Sequence, residues 1–263
     1  VAVEARWNEE AKFFDQWAQQ RISGLEPLDP AVLERYRKNR GLYSKEACMR
    51  LLGDPRGKRI LDVGCGDGEN SVLLAKLGAR VTGLDVSPGA IEMARRRAAL
   101  NGVEVDFVCS PVEKLAFRGE FDVIWVDNML HHVLPALDET LGALARAAKP
   151  GALFIAAEPL NLSPLLRKVR FLVPVHTEVT PGERPLEPAD LEVVRRHLPD
   201  LRWEHFNFLA RFMRFILPNL QYELASKPRK LACDALALID RLVLSAPGLA
   251  KLGGVGVIHG HLA

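Results

Sequence analysis

Hydrophobic period divides the chain into three stretches. Over residues 1 to about 55, Trp7, Ala11, Phe14 and Ala18 recur at helical spacing, and Asp29-Pro30 opens a second helix with proline in its first turn. From residue 58 the pattern changes to short, nearly all-apolar runs alternating with helical segments. Runs 59–63 and 80–84 precede helices through residues 77 and 100, run 105–109 precedes a loop, run 121–126 precedes a helix over 137–148, and run 152–156 follows. Strands apolar on both faces fit a parallel, helix-covered sheet, so the alternation predicts an open α/β fold with ligands beyond the carboxyl ends of its strands.

After Glu158 the rhythm breaks. An irregular, proline-containing segment leads to a predicted helix over 187–197, a strand near 201–209, helical stretches over 211–250 with breaks at Pro218, Pro228 and Pro247, and a last strand over 255–259. The expected organisation is one domain, 1–263. It comprises an N-terminal helical lid (1–55), a core (56–160), two cap insertions (160–188 and 211–250) that set specificity, and the last strand (253–263).

Composition narrows the class. With 263 residues, 48% hydrophobic and 26% charged, the chain can bury a sizeable core and is neither disordered nor fibrous. A net charge of +2 gives no general attraction for nucleic acid. No run approaches the roughly 18 apolar residues of a spanning helix, and residues 1–6 carry no signal-peptide pattern, so a soluble, cytoplasmic protein is expected. Cys48, Cys65, Cys109 and Cys233 form no C-x-x-C pair, which predicts free thiols and no metal.

The sharpest local signal is Asp62-Val63-Gly64-Cys65-Gly66-Asp67-Gly68, directly after an apolar strand. Glycines two apart let the backbone turn tightly and approach a ligand, and the helix opening near Asn70-Ser71 turns its free N–H groups to the same crevice. A dinucleotide fingerprint would need glycine where Glu69 stands, and the carboxylates Asp62, Asp67 and Glu69 suit a cationic ligand better than a pyrophosphate.

These residues resemble the first motif of the class I S-adenosylmethionine-dependent methyltransferases. Asp85, 23 residues after Asp62, resembles the family's acidic residue for both ribose hydroxyls; residues 121–132 resemble its fourth motif, and 144–151, ending Lys149-Pro150-Gly151, the helix and turn before its fifth strand. The resemblance covers about residues 40–160 and the last strand. It implies a Rossmann-like seven-stranded, mostly parallel sheet with an antiparallel last strand, S-adenosylmethionine as cofactor and S-adenosylhomocysteine as product. The cofactor residues it implies are Asp62, Gly64, Cys65, Gly66, Asp85, Val86, Ser110, Val112, Asp127 and Asn128. One position departs: Cys109-Ser110-Pro111 stands where many relatives carry an Asp for the adenine amino group.

A sulfonium methyl is already activated, so the protein must chiefly position donor and acceptor, exclude water and, for a hydroxyl acceptor, remove a proton. The candidates are His131 and His132 after the fourth strand, Glu158 after the fifth, and His176 in the first insertion. His131 is the one expected to meet the acceptor, with His132 packing or starting a helix. Glu158 either orients the substrate or caps the next segment; His176 lies either on a lid or in an exposed loop. The layout resembles quinone-biosynthetic and natural-product methyltransferases, which implies a small hydrophobic or aromatic acceptor, O-methylation ahead of N- or C-methylation. The alternative is a non-catalytic binding or regulatory protein that retains the cofactor pocket.

From the strand near 201–209 into the second insertion, Trp203, Phe206, Phe208, Phe212, Phe215 and Tyr222 fall within twenty residues, and residues 201–230 hold Arg202, Arg211, Arg214, Lys227, Arg229 and Lys230 against Glu204 and Glu223. The apolar surface of 230–245 is expected to pack on the sheet, and the basic residues to form a solvated face. Peripheral membrane contact by 211–245 is the other reading. The oligomeric state is not legible.

Overall fold

The computed structural model describes residues 2–38, 40–164, 183–217 and 222–263. Seven strands form one sheet: β1 (Arg59–Val63), β2 (Arg80–Asp85), β3 (Asp106–Cys109), β4 (Phe121–Asp127), β5 (Ala148–Pro159), β6 (Arg202–Phe206) and β7 (Val255–His261). Their order is β3-β2-β1-β4-β5-β7-β6. β7 runs antiparallel to β5 and β6, and the other neighbouring pairs are parallel. The sheet is the open α/β one the alternating runs predict, with the seven strands and antiparallel last strand that the family resemblance implies.

Side-chain alternation along the strands builds two cores. Ile60, Val123, Trp125, Ile155 and Ala157 pack on one face, and Leu61, Val63, Ile124, Val126, Phe154 and Ala156 on the other. Helix α3 (Ser44–Leu52) and α4 (Glu69–Lys76) supply side chains to the first core; α6 (Leu137–Ala147) and α7 (Pro188–His197) supply the second. Each fully buried large side chain contributes about 1.5–3 kcal/mol.

Proline lies in the first turn of α2 (Pro30–Arg37), of α5 (Pro88–Asn101) and of α7, where the missing N–H costs nothing. The N-terminal helix α1 (Ala2–Arg21) is tied to α5. Asp15 Oδ1 accepts from Ser87 Oγ (2.6 Å) and Gly89 N (2.8 Å), a carboxylate at a helix N-terminus. Leu28 N donates to Asn101 Oδ1 at the other end of α5 (2.9 Å).

The C-terminal part differs from expectation in two ways. β6 ends at Phe206 because Asn207 turns left-handed (φ 63°), and β7 continues to His261. Over 211–250, a short helix α8 (Met213–Ile216) is followed by α9 (Lys227–Ser245), with Pro228 starting α9 instead of breaking it. No described helix is long and apolar enough to cross a membrane.

Candidate active site

Winding reverses between β1 and β4, the point in such a sheet where a crevice opens beyond the carboxyl ends. A cavity of about 430 Å³ lies there. Its floor is the turn from Val63 to Glu69. Gly66 (φ 51°) and Gly68 (φ 79°) are left-handed, and a Cβ on Gly68 would come within 2.8 Å of Ala94 Cβ, so glycine there lets α5 close on the turn.

Asp85, at the end of β2, lines the cavity and is fixed by two amides: Gly66 N donates to its Oδ2 and Ser87 N to its Oδ1, both at 2.9 Å. Burial raises its pKa, with the amides opposing. Gly64, Cys65, Val86, Ser110, Val112 and Asn128 also line the cavity. Asp62 does not. It is buried behind the turn, accepts from Ser71 Oγ, and burial pushes its pKa up to about 7. Where the resemblance implies a cofactor residue, the structure shows Asp62 bonded to Ser71 at the start of α4 and off the cavity lining.

At the other side of the floor, Asp127 accepts from Asn70 Nδ2 (3.0 Å) and Asn128 Nδ2 (2.9 Å). Lys45 of α3 joins it on the cavity wall and pairs with Glu69 at 2.9 Å. Burial opposes the charge on Lys45, yet Glu69, Tyr36 and Asp127 raise its pKa overall. Where the third-strand acid is missing, Ser110, Pro111, Val112 and Glu113 line the end of the cavity.

Helix α1 covers the mouth. Arg6, Trp7, Glu10, Phe14 and Trp17 all face the cavity. Positions 7, 10, 14 and 17 form one helical stripe, a signal present in the sequence, but period alone does not say what a stripe faces. Arg6 lies 3.5 Å from Glu113, while its Nε and Nη1 and the Trp7 Nε1 are buried without a hydrogen-bond partner among the described residues.

The two histidines lie the other way round from expectation, His132 on the cavity wall and His131 behind it. His131 is buried, its Nδ1 donating to Glu158 Oε2 at 2.7 Å and its Nε2 3.2 Å from Glu183. Glu158 is fully buried, and its Oε1 accepts from Met129 N (2.8 Å) and Leu130 N (2.7 Å). These bonds turn Glu158 inward, away from the crevice mouth, and hold His131 off the cavity. His132 is the ring on the cavity wall. Its Nδ1 lies 3.2 Å from Glu10 Oε2 and 3.7 Å from Glu183 Oε2, and Phe14 packs edge-on at 5.7 Å. Burial alone would lower the His132 pKa; Glu10, with Glu183 and Glu158, raises it overall.

His131, His132 and Glu183 also bring three ligand atoms within 4.8 Å of one another, a donor set of the kind that holds divalent cations. Cysteine spacing gave no hint of it, because Glu183 is distant in sequence. His176 lies outside the described residues.

Residues 60–151 match the family model of a methyltransferase domain. The ubiquinone biosynthesis O-methyltransferase of Bordetella avium is 37% identical over 121 residues, 45% of this chain and 49% of that protein. That of Methylobacterium nodulans is 40% identical over 136 residues, 48% of this chain and 53% of that protein. The chain thus spans about half the length of these curated relatives. Among solved structures, the cyclase SpnF has a TM-score of 0.54 at 21% identity, covering 82% of this chain and 79% of that one. Magnesium protoporphyrin IX methyltransferase from Synechocystis, with bound S-adenosylhomocysteine, has a TM-score of 0.52 at 21% identity, covering 74% and 88%. A cyclase and a methyltransferase on one framework establish the fold and leave the reaction to the site.

Proposed function

From the methyltransferase domain that the chain carries over residues 60–151, we propose that it methylates a hydroxyl of a small aromatic or hydrophobic molecule, using S-adenosylmethionine. The cavity wall suits that cofactor. Asp85 presents a fixed carboxylate for two adjacent ribose hydroxyls, Lys45 a cation for the amino-acid carboxylate, and Asp127 and Glu69 carboxylates for its ammonium. Asp67, Glu69, Asp85, Asp127, Glu10 and Glu113 outnumber Arg6 and Lys45 on the wall, a field that favours a sulfonium. Ser110, Val112 and the unpartnered donors of Arg6 would hold the adenine in place of the missing acid.

When bound, the cofactor supplies an electrophilic methyl that needs no further activation. The chain's own residues supply the rest. Trp7, Phe14 and Trp17 roof the cavity with aromatic surface that excludes water and stacks against a flat acceptor. His132, with carboxylates at its Nδ1 side, accepts the hydroxyl proton at Nε2, and Glu10 stabilises the imidazolium that results. His131 and Glu158 hold the turn on which His132 sits.

The single observation that carries O-methylation is the His132 imidazole on the cavity wall beside Glu10; a base of this kind serves a hydroxyl, which must lose its proton to attack, more than a neutral aromatic amine, whose lone pair is already free. The names of the curated relatives make phenols the first acceptors to try. The test is S-adenosylhomocysteine formation with a panel of catechols, phenols and aromatic amines. Turnover of a phenol that falls in His132→Ala, with cofactor affinity unchanged, supports the reading. Turnover confined to amines, or insensitive to His132, refutes it, and a chain that binds S-adenosylmethionine without turning over any acceptor is the binding protein instead.

A further inference from the structure

The outer face of the C-terminal cap is built against the usual rule. Helix α9 buries a stripe of small and polar residues, Cys233, Ala237 and Asp240 with Leu244, against β6 and the turn that follows it. Asp240 belongs to that stripe because its carboxylate accepts from Asn207 N (3.0 Å), Ala210 N (3.1 Å) and Leu209 N. The large apolar side chains are left outside. Leu231, Leu238 and Leu242, at helical spacing, are 72%, 51% and 64% exposed, and Phe212 and Phe215, stacked at 6.3 Å on the adjoining segment, are 50% and 70% exposed. Apolar surface of this extent marks a contact surface.

Charge decides what it contacts. Arg211, Arg214, Lys227 and Arg229 are exposed on the same segments, and none has a carboxylate partner among the described residues. The neighbouring carboxylates are already engaged: Glu204 by Arg50 and Arg241, Glu223 by Arg35, Asp234 by Arg40 and Tyr43, and Asp240 by backbone amides. The face therefore presents apolar side chains among uncompensated positive charge. A second copy related by a twofold axis would bring these cations against their equivalents with no carboxylate between them. An anionic bilayer offers the complement, acyl chains for the phenylalanines and leucines and phosphates for the guanidinium and ammonium groups.

We propose that this face docks on an anionic lipid surface, with Phe212, Phe215 and Leu231 entering the headgroup and acyl boundary and Arg211, Arg214, Lys227 and Arg229 at the lipid phosphates. The proposal is independent of the reaction assigned to the cavity. It is tested by co-sedimentation of the full chain with vesicles of phosphatidylcholine, with and without phosphatidylglycerol. Binding is at least about tenfold stronger with phosphatidylglycerol and weakens as salt rises. It is lost in Phe212→Ser/Phe215→Ser and in Arg211→Gln/Arg214→Gln, while the thermal transition of each variant matches the wild type because all four side chains are exposed. Equal binding to both vesicles, or wild-type binding by either variant, overturns the proposal. So does a concentration-dependent dimer that Phe215→Ser dissolves in a chain that ignores vesicles, since the face then belongs to a second copy.

Discussion

Glu10 Oε2 of the covering helix lies 3.2 Å from Nδ1 of His132, so the roof and the wall of the cavity meet at one carboxylate–imidazole contact. This contact raises the pKa of the group proposed to act as base, and the base works only when neutral. Activity toward a phenol should therefore rise with pH through an apparent pKa above the ordinary histidine value of about 6.5. In Glu10→Gln that rise should shift to lower pH, because one of the charges holding the proton on His132 is gone, while the rate at high pH falls through loss of imidazolium stabilisation. His132→Ala should cost about 10²-fold or more in turnover. A pH profile of kcat/KM that Glu10→Gln leaves unmoved would remove Glu10 from the mechanism.

Asp85 is the residue on which cofactor affinity should depend most. Its carboxylate is held by the amides of Gly66 and Ser87 before any ligand arrives, so the two bonds to ribose hydroxyls form without reorganisation. Asp85→Ala should weaken S-adenosylmethionine binding by about 10²-fold, the worth of hydrogen bonds to a charged group. Calorimetry measures it directly. Because burial raises the pKa of Asp85, affinity in the wild type should begin to fall, as pH is lowered, above the usual carboxylate range.

Asp62 should behave in the opposite way, through stability. Its folded pKa of about 7 lies above the unfolded value of about 3.9, so the folded state holds this proton more tightly. Its stabilising contribution is complete below the unfolded pKa and is lost as pH rises to about 7. Asp62→Asn cannot ionise and still bonds Ser71, so its urea midpoint should fall less than that of the wild type between pH 4 and pH 7, taken as about the two pKa values. Parallel curves for the two proteins would place the Asp62 pKa elsewhere.

What the sequence revealed was local. The apolar run ending at Val63 and the glycines after it lie within ten residues, and Asp85 directly follows the next apolar run, so both read directly from the chain. The histidine pair does not. His131 and His132 share one 3-10 turn, and which ring faces the cavity depends on Glu158, 27 residues on, and on Glu183 across the insertion. Periodicity likewise finds two stripes on α9 without saying which is buried. The large leucines point to an inward face, but the small residues Cys233 and Ala237 allow close approach to the sheet edge, and three amides awaiting an acceptor draw Asp240 inward.

Glu158 separates a positioning role from a catalytic one. The carboxylate satisfies Met129 N, Leu130 N and His131 Nδ1 in a site with no access to water. Removing it leaves three buried donors unmet, so Glu158→Ala should lose about 2 kcal/mol of stability or more, read as a lower urea midpoint. Glu158→Gln keeps one acceptor oxygen for the amides and should recover part of that loss. If the role is to hold the turn, the fraction of either variant that remains folded should still gain activity as pH rises, since His132 supplies the base, with the rise moved to lower pH because one carboxylate that raises the His132 pKa is gone. A lost pH dependence in a variant folded as well as the wild type would instead place Glu158 in the proton transfer itself.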